Sequence, residues 1–249
     1  LSMLPMAHMY GMAFEFLFEM LYGMHTTFLN RNASPTVLLK ALADTKPVFV
    51  VAVPLIIEKV VRRAVMPVLA KPHMKVLMAI PGINTIIKKQ INKKLCAAFG
   101  GNFYEVIMGG AALAKDIEKV LKDIKFPFTV GYGATECAPI LAYEDWHKFA
   151  PQSCGKAAKH MELKIDSSDP QNVSGEILAR GLNTMLGYYK NPEATEVTLD
   201  KDGWYHTGDM GVMDKEGNLF IKGRCKNMLL GSNGQNIYPE EIEDKIVAQ

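Results

Sequence analysis

Three short apolar runs, rich in β-branched and aromatic residues, recur in the first half of the chain. VFVVAV begins at Val48, FYEVIM at Phe103 and FPFTVGY at Phe126, and helix-length sequence separates each run from the next. This alternation predicts parallel strands joined by helical crossovers, which is an α/β fold with a parallel or mixed sheet.

Helical periodicity fills the intervals between these runs. Pro54 stands at the first position of a helix whose apolar residues recur at helical spacing over 57–65. A second helix is predicted from about Leu113 to Ile124, because acidic residues come early in it and Lys122 comes late, as suits the helix dipole.

Residues 1–24 are the most apolar stretch, but polar and proline residues interrupt it too often for a bilayer span. Glu15 and Glu19 are four residues apart and predict one solvent-facing stripe on a helix that is otherwise buried. The stretch has no basic start or cleavage-site pattern, so it is not a signal peptide.

The texture changes beyond residue 150, where short strands alternate with turn signals such as SSDPQNVSG, DKDG and DKEGN. VMDKEGNLFIKGR predicts a β-hairpin around its Gly-Asn turn, and YPEEIEDKIVAQ, from Tyr238, predicts the start of a helix. We therefore predict three parts: an α/β subdomain over 1–150, a small β-rich subdomain over 151–225, and a hinge with the start of another domain over 226–249.

Composition and charge exclude several classes of function. The 28 basic and 26 acidic residues leave a net charge of +2, which gives no global electrostatic basis for binding nucleic acid. The four cysteines form no CxxC pair and the six histidines have no zinc-ligand spacing. We expect reduced thiols in a cytoplasmic protein and no structural metal.

One segment, 55–95, is strongly basic. The segment contains nine lysine and arginine residues but only one acidic residue, Glu58. Its net charge is therefore +8, and that of the rest of the chain is −6. Lys88, Lys89, Lys93 and Lys94 lie opposite an apolar stripe on a helix. Two interpretations stay open: a solvated face over a buried stripe, or peripheral contact with the anionic inner face of a membrane.

Two glycine-bearing turns carry the first candidate chemistry. GGAAL (109–113) and GYGATE (131–136) each follow a predicted strand, and the carboxyl edge of a parallel sheet is where ligands bind. Tyr132 offers a stacking face, Thr135 a hydroxyl and Glu136 a hard oxygen ligand for magnesium, a set that fits a nucleotide. Taken singly, each also fits an ordinary turn, helix start or packing residue.

Two further blocks add charged groups to this picture. GWYHTGDMG places Asp209 in a glycine-flanked bend, and GRCKN places Arg224 directly after a predicted strand. A fixed carboxylate can accept both hydroxyls of a ribose, and a guanidinium can bind ribose or phosphate oxygens. The alternatives are an Asx-turn for Asp209 and a surface ion pair for Arg224.

With these blocks in view, the sequence resembles the adenylate-forming enzymes, and most closely the long-chain acyl-CoA synthetases. The resemblance covers the whole chain and rests on six stretches in the family's order: PMAHMYG, GGAAL, VGYGATE, GEILARGLNTMLGYYKNPEAT, DGWYHTGDMG and FIKGRCKNMLLGSNGQNIYPEEIE. It implies attack of a fatty-acid carboxylate on the α-phosphate of magnesium ATP to give an acyl-adenylate and pyrophosphate. The thiol of coenzyme A then displaces AMP from the acyl-adenylate.

The resemblance also implies roles for particular residues. Thr135 would meet the phosphate, Glu136 would coordinate magnesium, and His8 would lie by the reacting carboxylate or the acyl tunnel, a buried structural histidine being the alternative. The implied nucleotide contacts are Gly109, Gly110, Ala111 and Ala112 along the adenine, Tyr132 stacked on it beside Gly133, Asp209 on the ribose, Arg224 on ribose or phosphate, and Ile221. Lys226 would be the hinge, and Gly231, Gly234 and Asn236 would line the passage for coenzyme A.

The family's phosphate loop and catalytic lysine match nothing in this chain, and we expect them before Leu1 and after Gln249. The chain is accordingly predicted to be an inactive internal fragment of an active ligase. Two rivals remain: an adenylating enzyme for another acid or for a carrier protein as acceptor, and a non-catalytic nucleotide-binding or scaffold module. Asn227 departs from the acidic residue often seen after the hinge, which leaves the hinge energetics open.

Overall fold

The computed structural model describes residues 1–30, 34–230, 236–239, 242, 243 and 246 of the 249-residue chain. Contacts between residues divide the chain into two compact units, Leu1–Thr129 and Val130–Gln249. The boundaries predicted at residues 150 and 225 stay predictions.

A three-stranded sheet, in the order β1-β2-β3, begins in the first unit. Its strands are β1 (Val50–Ala52), β2 (Val106–Met108) and β3 (Phe128–Val130), one from each of the three apolar runs. β1 and β2 are parallel, with Val50 opposite Val106. The α/β prediction is therefore confirmed, although each strand covers only three residues of its run.

Helices account for most of the remaining first unit. They are α1 (Met9–Met12), α2 (Phe18–Leu21), α3 (Pro35–Thr45), α4 (Pro54–Ala64), α5 (Met66–Leu69), α6 (Pro72–Ala79), α7 (Ile83–Ala98) and α8 (Lys115–Asp123), with a π-helix (Ala13–Leu17) between α1 and α2. Both predicted helices are confirmed in α4 and α8, and each buries its apolar face, which includes Ile57 and Val61 in α4 and Ile117 and Leu121 in α8.

A charged pair joins α4 to α8. Nη1 and Nη2 of Arg62 donate to the two carboxylate oxygens of Asp116, at 2.7 Å and 3.1 Å. Asp116, in the first turn of α8, thus forms an ion pair with α4 and also interacts favourably with the dipole of its own helix.

The prediction of a wet stripe at Glu15 and Glu19 is wrong. Both side chains are buried, at 1% and 7% exposure. Oε2 of Glu15 accepts hydrogen bonds from the backbone N–H groups of Met3 and Leu4, and Glu19 accepts one from the Thr26 hydroxyl. Because these donors come from neighbouring loops, helical spacing alone gave no sign of them.

The second unit is mainly antiparallel. One sheet, in the order β4-β5-β6, contains β4 (Tyr132–Gly133), β5 (Ile140–Tyr143) and β6 (Lys156–Ala157). Another, in the order β10-β9-β8-β7, contains β7 (Met161–Asp166), β8 (Gly175–Gly181), β9 (Tyr205–Met213) and β10 (Leu219–Arg224). The predicted hairpin is confirmed, because β9 and β10 pair in antiparallel. The short strands predicted beyond residue 150 are found in these sheets.

Shorter elements complete the second unit. α9 (Pro192–Thr198) lies between β8 and β9, and β11 (Leu229–Leu230) pairs in antiparallel with β12 (Asn236–Ile237). Of the helix predicted from Tyr238, the described residues from Pro239 onward are helical. Within the described part of the chain, no helix is long and apolar enough to cross a membrane.

Candidate nucleotide-binding site

The β9–β10 hairpin brings Asp209 and Arg224 together. The antiparallel register places the two residues directly opposite each other, and Nη1 of Arg224 donates to Oδ1 of Asp209 at 2.7 Å. The aspartate side chain is 14% exposed and the arginine side chain 60% exposed. The hydrogen bond to Asp209 raises the pKa of the Arg224 guanidinium, so this guanidinium stays charged.

Tyr132 approaches the same carboxylate from β4. Its hydroxyl donates to Oδ2 of Asp209 at 2.5 Å, and the residue is 8% exposed. Burial and then the negative charge of Asp209 raise the pKa of the Tyr132 phenol, which therefore remains a hydrogen-bond donor. Asp209 is thus held by a guanidinium on one oxygen and a phenol on the other.

Thr207 fixes the backbone beneath this cluster. Its hydroxyl oxygen accepts from the N–H of Asp209 at 3.1 Å, and the hydroxyl donates to the carbonyl of Ile177 at 2.8 Å. Sequence reasoning missed this residue. The signal was present in the T-G-D spacing, since residues two apart in a strand face the same side.

Gly133 is required by the turn that follows Tyr132. A Cβ atom at this position would lie 2.3 Å from the carbonyl oxygen of Pro139. The N–H of Ala134 donates to that same oxygen at 2.8 Å. The glycine therefore lets β4 and β5 approach closely enough to place Tyr132.

Glu136 lies in a 3-10 helix, Thr135–Cys137, directly after this turn. Its Oε1 accepts a hydrogen bond from the hydroxyl of Tyr188 at 2.8 Å, and its carbonyl accepts one from the N–H of Met185 at 2.7 Å. Thr135 is exposed and Glu136 half-buried, so both side chains are accessible. Nothing in the sequence pattern had singled out Tyr188.

Magnesium would find suitable chemistry at Glu136. Among the described residues, no group of three or more His, Cys, Asp and Glu side chains could form a cage for a metal. Mg²⁺ does not need one, because it is usually held by one or two carboxylates together with substrate phosphates and water. A half-buried carboxylate beside an exposed hydroxyl fits that mode of binding.

The GGAAL turn belongs to the first unit. Gly110 has φ +84°, which favours glycine, and Ala111 and Ala112 are exposed. A Cβ atom at Gly109 would lie 3.1 Å from Cζ of Tyr10, whose hydroxyl donates to the carbonyl of Ile107. Tyr10 therefore packs against the turn to which the family resemblance assigns adenine, and that role stays a prediction.

His8 is the N-cap of α1. The side chain is exposed, and its Nδ1 accepts from the N–H of Tyr10 at 3.1 Å. The alternative of a buried structural histidine is therefore wrong, because the His8 side chain is exposed. The role by the reacting carboxylate stays a prediction.

The remaining candidate residues lie near the end of the chain. Ile221 is on β10 and is 39% exposed, and Lys226 is exposed in a 3-10 helix, Cys225–Asn227. Asn236 lies in β12, whereas Gly231 and Gly234 lie outside the described residues. The nucleotide, hinge and passage roles of all these residues stay predictions.

Comparison with known proteins identifies the family. Residues 1–189, about three quarters of the chain, match the family described as AMP-binding enzyme. The chain belongs to the AMP-binding enzyme family. Curated relatives include 4-coumarate–CoA ligase 5 of Oryza sativa subsp. japonica, 39% identical over 158 residues, covering 57% of this chain and 29% of that protein. The long-chain-fatty-acid–CoA ligase of Escherichia coli O157:H7 is 37% identical over 179 residues. The match covers 68% of this chain and 31% of that protein.

Solved structures of adenylate-forming ligases share the fold of this chain. O-succinylbenzoate CoA synthetase from Bacillus subtilis, in complex with the acyl-adenylate OSB-AMP, superposes with a TM-score of 0.76 at 23% identity, covering 99% of this chain and 45% of that one. ATP-bound MatB from Rhodopseudomonas palustris superposes with a TM-score of 0.75 at 23% identity. The match covers 100% of this chain and 44% of MatB. The chain thus spans less than half the length of these relatives, and the fold class is confirmed.

Proposed function

We propose that the full-length protein containing this chain is an ATP-dependent acid–thiol ligase that joins a long-chain fatty acid to coenzyme A through an acyl-adenylate. The observation that carries the proposal is the cluster of Tyr132, Asp209 and Arg224, in which a guanidinium and a buried phenol each bind one oxygen of a carboxylate. Membership of the AMP-binding enzyme family supports a nucleotide as the ligand.

The first half-reaction concentrates negative charge at the α-phosphate. Magnesium, when bound, neutralises part of that charge and orients the phosphate oxygens. In the proposal, Glu136 holds that ion, Thr135 donates its hydroxyl to the phosphate, and Asp209 accepts the ribose hydroxyls. These groups act by position and charge, which is the main source of catalysis in such transfers.

The remaining proposed roles divide among adenine, acid and coenzyme A. Adenine lies along Gly109, Gly110, Ala111 and Ala112 and against Tyr132. His8 contacts the reacting acid. Lys226 is the hinge for the movement that precedes attack by coenzyme A, whose passage includes Gly231, Gly234 and Asn236. The 249-residue chain by itself is expected to form no acyl-CoA.

The fatty-acid substrate is the finer part of the proposal. It is supported by 37% identity to a long-chain-fatty-acid–CoA ligase over 68% of the chain. Identity of 39% to a 4-coumarate–CoA ligase covers the shorter share of 57%. Another acid, or a carrier protein as acceptor, is the rival within the same chemistry.

A substrate panel tests this proposal. Full-length protein is incubated with magnesium ATP, coenzyme A and one acid at a time: palmitate, octanoate, 4-coumarate, o-succinylbenzoate or malonate. Acyl-CoA and AMP are measured by chromatography. Palmitate should give the highest kcat/KM. A higher value for 4-coumarate would overturn the substrate, and no AMP with any acid would favour the scaffold interpretation.

The basic segment supports a second function, peripheral binding to an anionic lipid surface. No residue of α6 is buried, and only Leu95 is buried in α7. Val76 and Ile86 are 65% and 63% exposed. The exposed lysines of the two helices are Lys75, Lys89, Lys93 and Lys94. Exposed apolar and basic side chains together are the composition that interfacial helices use on anionic lipid.

Vesicle flotation tests the lipid proposal. Binding to phosphatidylglycerol vesicles should exceed binding to phosphatidylcholine vesicles, and the triple variant Lys89→Gln, Lys93→Gln, Lys94→Gln should remove most of the difference. The matched control changes three exposed lysines of the second unit, Lys159, Lys201 and Lys215, to glutamine with the same loss of charge. Equal flotation on both lipids would exclude this function.

A further inference from the structure

The loop between β8 and α9 is hydrogen-bonded to the segment that carries Glu136. Nδ2 of Asn183 donates to the carbonyls of Cys137 and Ile140, at 2.5 Å and 3.0 Å. The N–H of Met185 donates to the carbonyl of Glu136 at 2.7 Å. Three hydrogen bonds to backbone carbonyls therefore fix the position of the backbone that carries the Glu136 side chain.

A fourth hydrogen bond reaches the side chain itself. The hydroxyl of Tyr188 donates to Oε1 of Glu136 at 2.8 Å. The loop therefore contacts Glu136 both at its backbone carbonyl and at its carboxylate.

Tyr188 is itself held in place by α9. Its N–H donates to Oγ1 of Thr195 at 2.9 Å, and the Thr195 hydroxyl donates to the carbonyl of Asn191 at 2.9 Å. At Gly187, φ is +149° and a Cβ atom would lie 2.8 Å from Cγ2 of Thr195. The glycine allows the loop to pass close to the helix that anchors Tyr188.

We propose that Tyr188 is a positioning residue that orients the carboxylate of Glu136 toward the magnesium ion of the bound nucleotide. The proposal rests on the proposed function, in which Glu136 is the metal ligand. A carboxylate has about four acceptor sites, so a phenol on Oε1 leaves capacity for a cation. Partners that orient a metal ligand change metal affinity or activity by about 10- to 100-fold when they are removed.

The alternative is that the tyrosine only fastens the loop. Loss of the bond would then lower stability and slow both half-reactions alike, without a specific change in metal affinity. Orientation of the ligand predicts the opposite pattern, since magnesium is needed for adenylation but not for attack of coenzyme A on an acyl-adenylate that is already formed.

The test uses Tyr188→Phe in the full-length protein. Mn²⁺ binding is measured by electron paramagnetic resonance with a non-hydrolysable ATP analogue, and the two half-reactions are assayed separately. We expect Mn²⁺ affinity to fall about tenfold, and the Mg²⁺ concentration for half-maximal adenylation to rise by a similar factor. Thioester formation from added acyl-adenylate should be unchanged. The control is Tyr189→Phe, because this neighbouring ring is 88% exposed.

The variant Glu136→Gln distinguishes a wrong positioning role for Tyr188 from a wrong metal-ligand role for Glu136. If Glu136→Gln weakens Mn²⁺ binding and Tyr188→Phe does not, the positioning role is wrong and the metal site stands. If neither variant changes Mn²⁺ binding, the metal assignment in the proposed function is wrong. Should Tyr188→Phe fail to fold, Thr195→Val, which removes the anchor of Tyr188, must weaken Mn²⁺ binding, and an unchanged affinity overturns the proposal.

Discussion

Nη1 of Arg224 lies 2.7 Å from Oδ1 of Asp209, directly across the β9–β10 hairpin. The two residues are fifteen positions apart and belong to separate sequence blocks, GWYHTGDMG and GRCKN. The hairpin register joins them, and Tyr132 adds a third group on Oδ2. The ion pair and the phenol together fix the position of the Asp209 carboxylate.

Asp209→Asn tests the ribose role. The variant keeps the shape of the side chain but removes the charge that two hydroxyls would share. We expect KM for ATP to rise by about 10- to 100-fold, because a hydrogen bond to a charged group contributes about 1.5–3 kcal/mol. Asp166→Asn, at an exposed position on β7, should leave KM unchanged. Equal KM values for both variants would rule out the role.

Tyr132→Phe separates the ring from its hydroxyl. The ring remains for stacking, whereas the bond to Asp209 is lost. The free energy of unfolding, measured by thermal or denaturant unfolding, should fall by about 1 kcal/mol, which is typical for the loss of one hydrogen bond. KM for ATP should change less than it does in Asp209→Asn, and a larger change would show that the phenol, and not the ring, serves the nucleotide.

Gly133→Ala tests the geometry that places Tyr132. The added Cβ would meet the carbonyl oxygen of Pro139, so the strands must move apart, at a cost of about 3 kcal/mol. Gly217→Ala is the control, because Gly217 has φ +84° but open space around it, and the strain alone costs about 1 kcal/mol. Only Gly133→Ala should also weaken ATP binding, measured by calorimetry; an equal effect of both would contradict the argument.

Glu15 predicts a dependence of stability on pH. Burial raises the pKa of its carboxyl group above the ordinary value, despite the hydrogen bonds from Leu4 and Met3. The folded state therefore holds the proton more tightly than the unfolded state. This contribution is fully present below the unfolded pKa and is lost as pH rises through the folded pKa.

Glu15→Gln should remove that dependence. The amide keeps an acceptor for Met3 and Leu4 but cannot ionise. Denaturant unfolding between about pH 4 and pH 8 should show a smaller fall in the free energy of unfolding than in the unaltered chain. Identical pH profiles would show that Glu15 is not the responsible group.

Local patterns predicted those parts of the molecule that depend on local chemistry. The β9–β10 hairpin followed from strand alternation around a turn, and α4 from Pro54 and its apolar face. Glu15 and Tyr188 were misread or missed, because their partners come from other segments. Spacing along one element records periodicity, but it does not record which loop supplies a donor.

AMP release by the full-length protein is the decisive test of the proposed ligase activity. With magnesium ATP present, we expect continued AMP release only when a fatty acid and coenzyme A are both supplied. Acyl-CoA should form in an amount equal to the AMP. Asp209→Asn should reduce the rate at limiting ATP. If a folded, ATP-binding protein releases no acid-dependent AMP, the proposed ligase activity is wrong and a non-catalytic nucleotide-binding module is favoured.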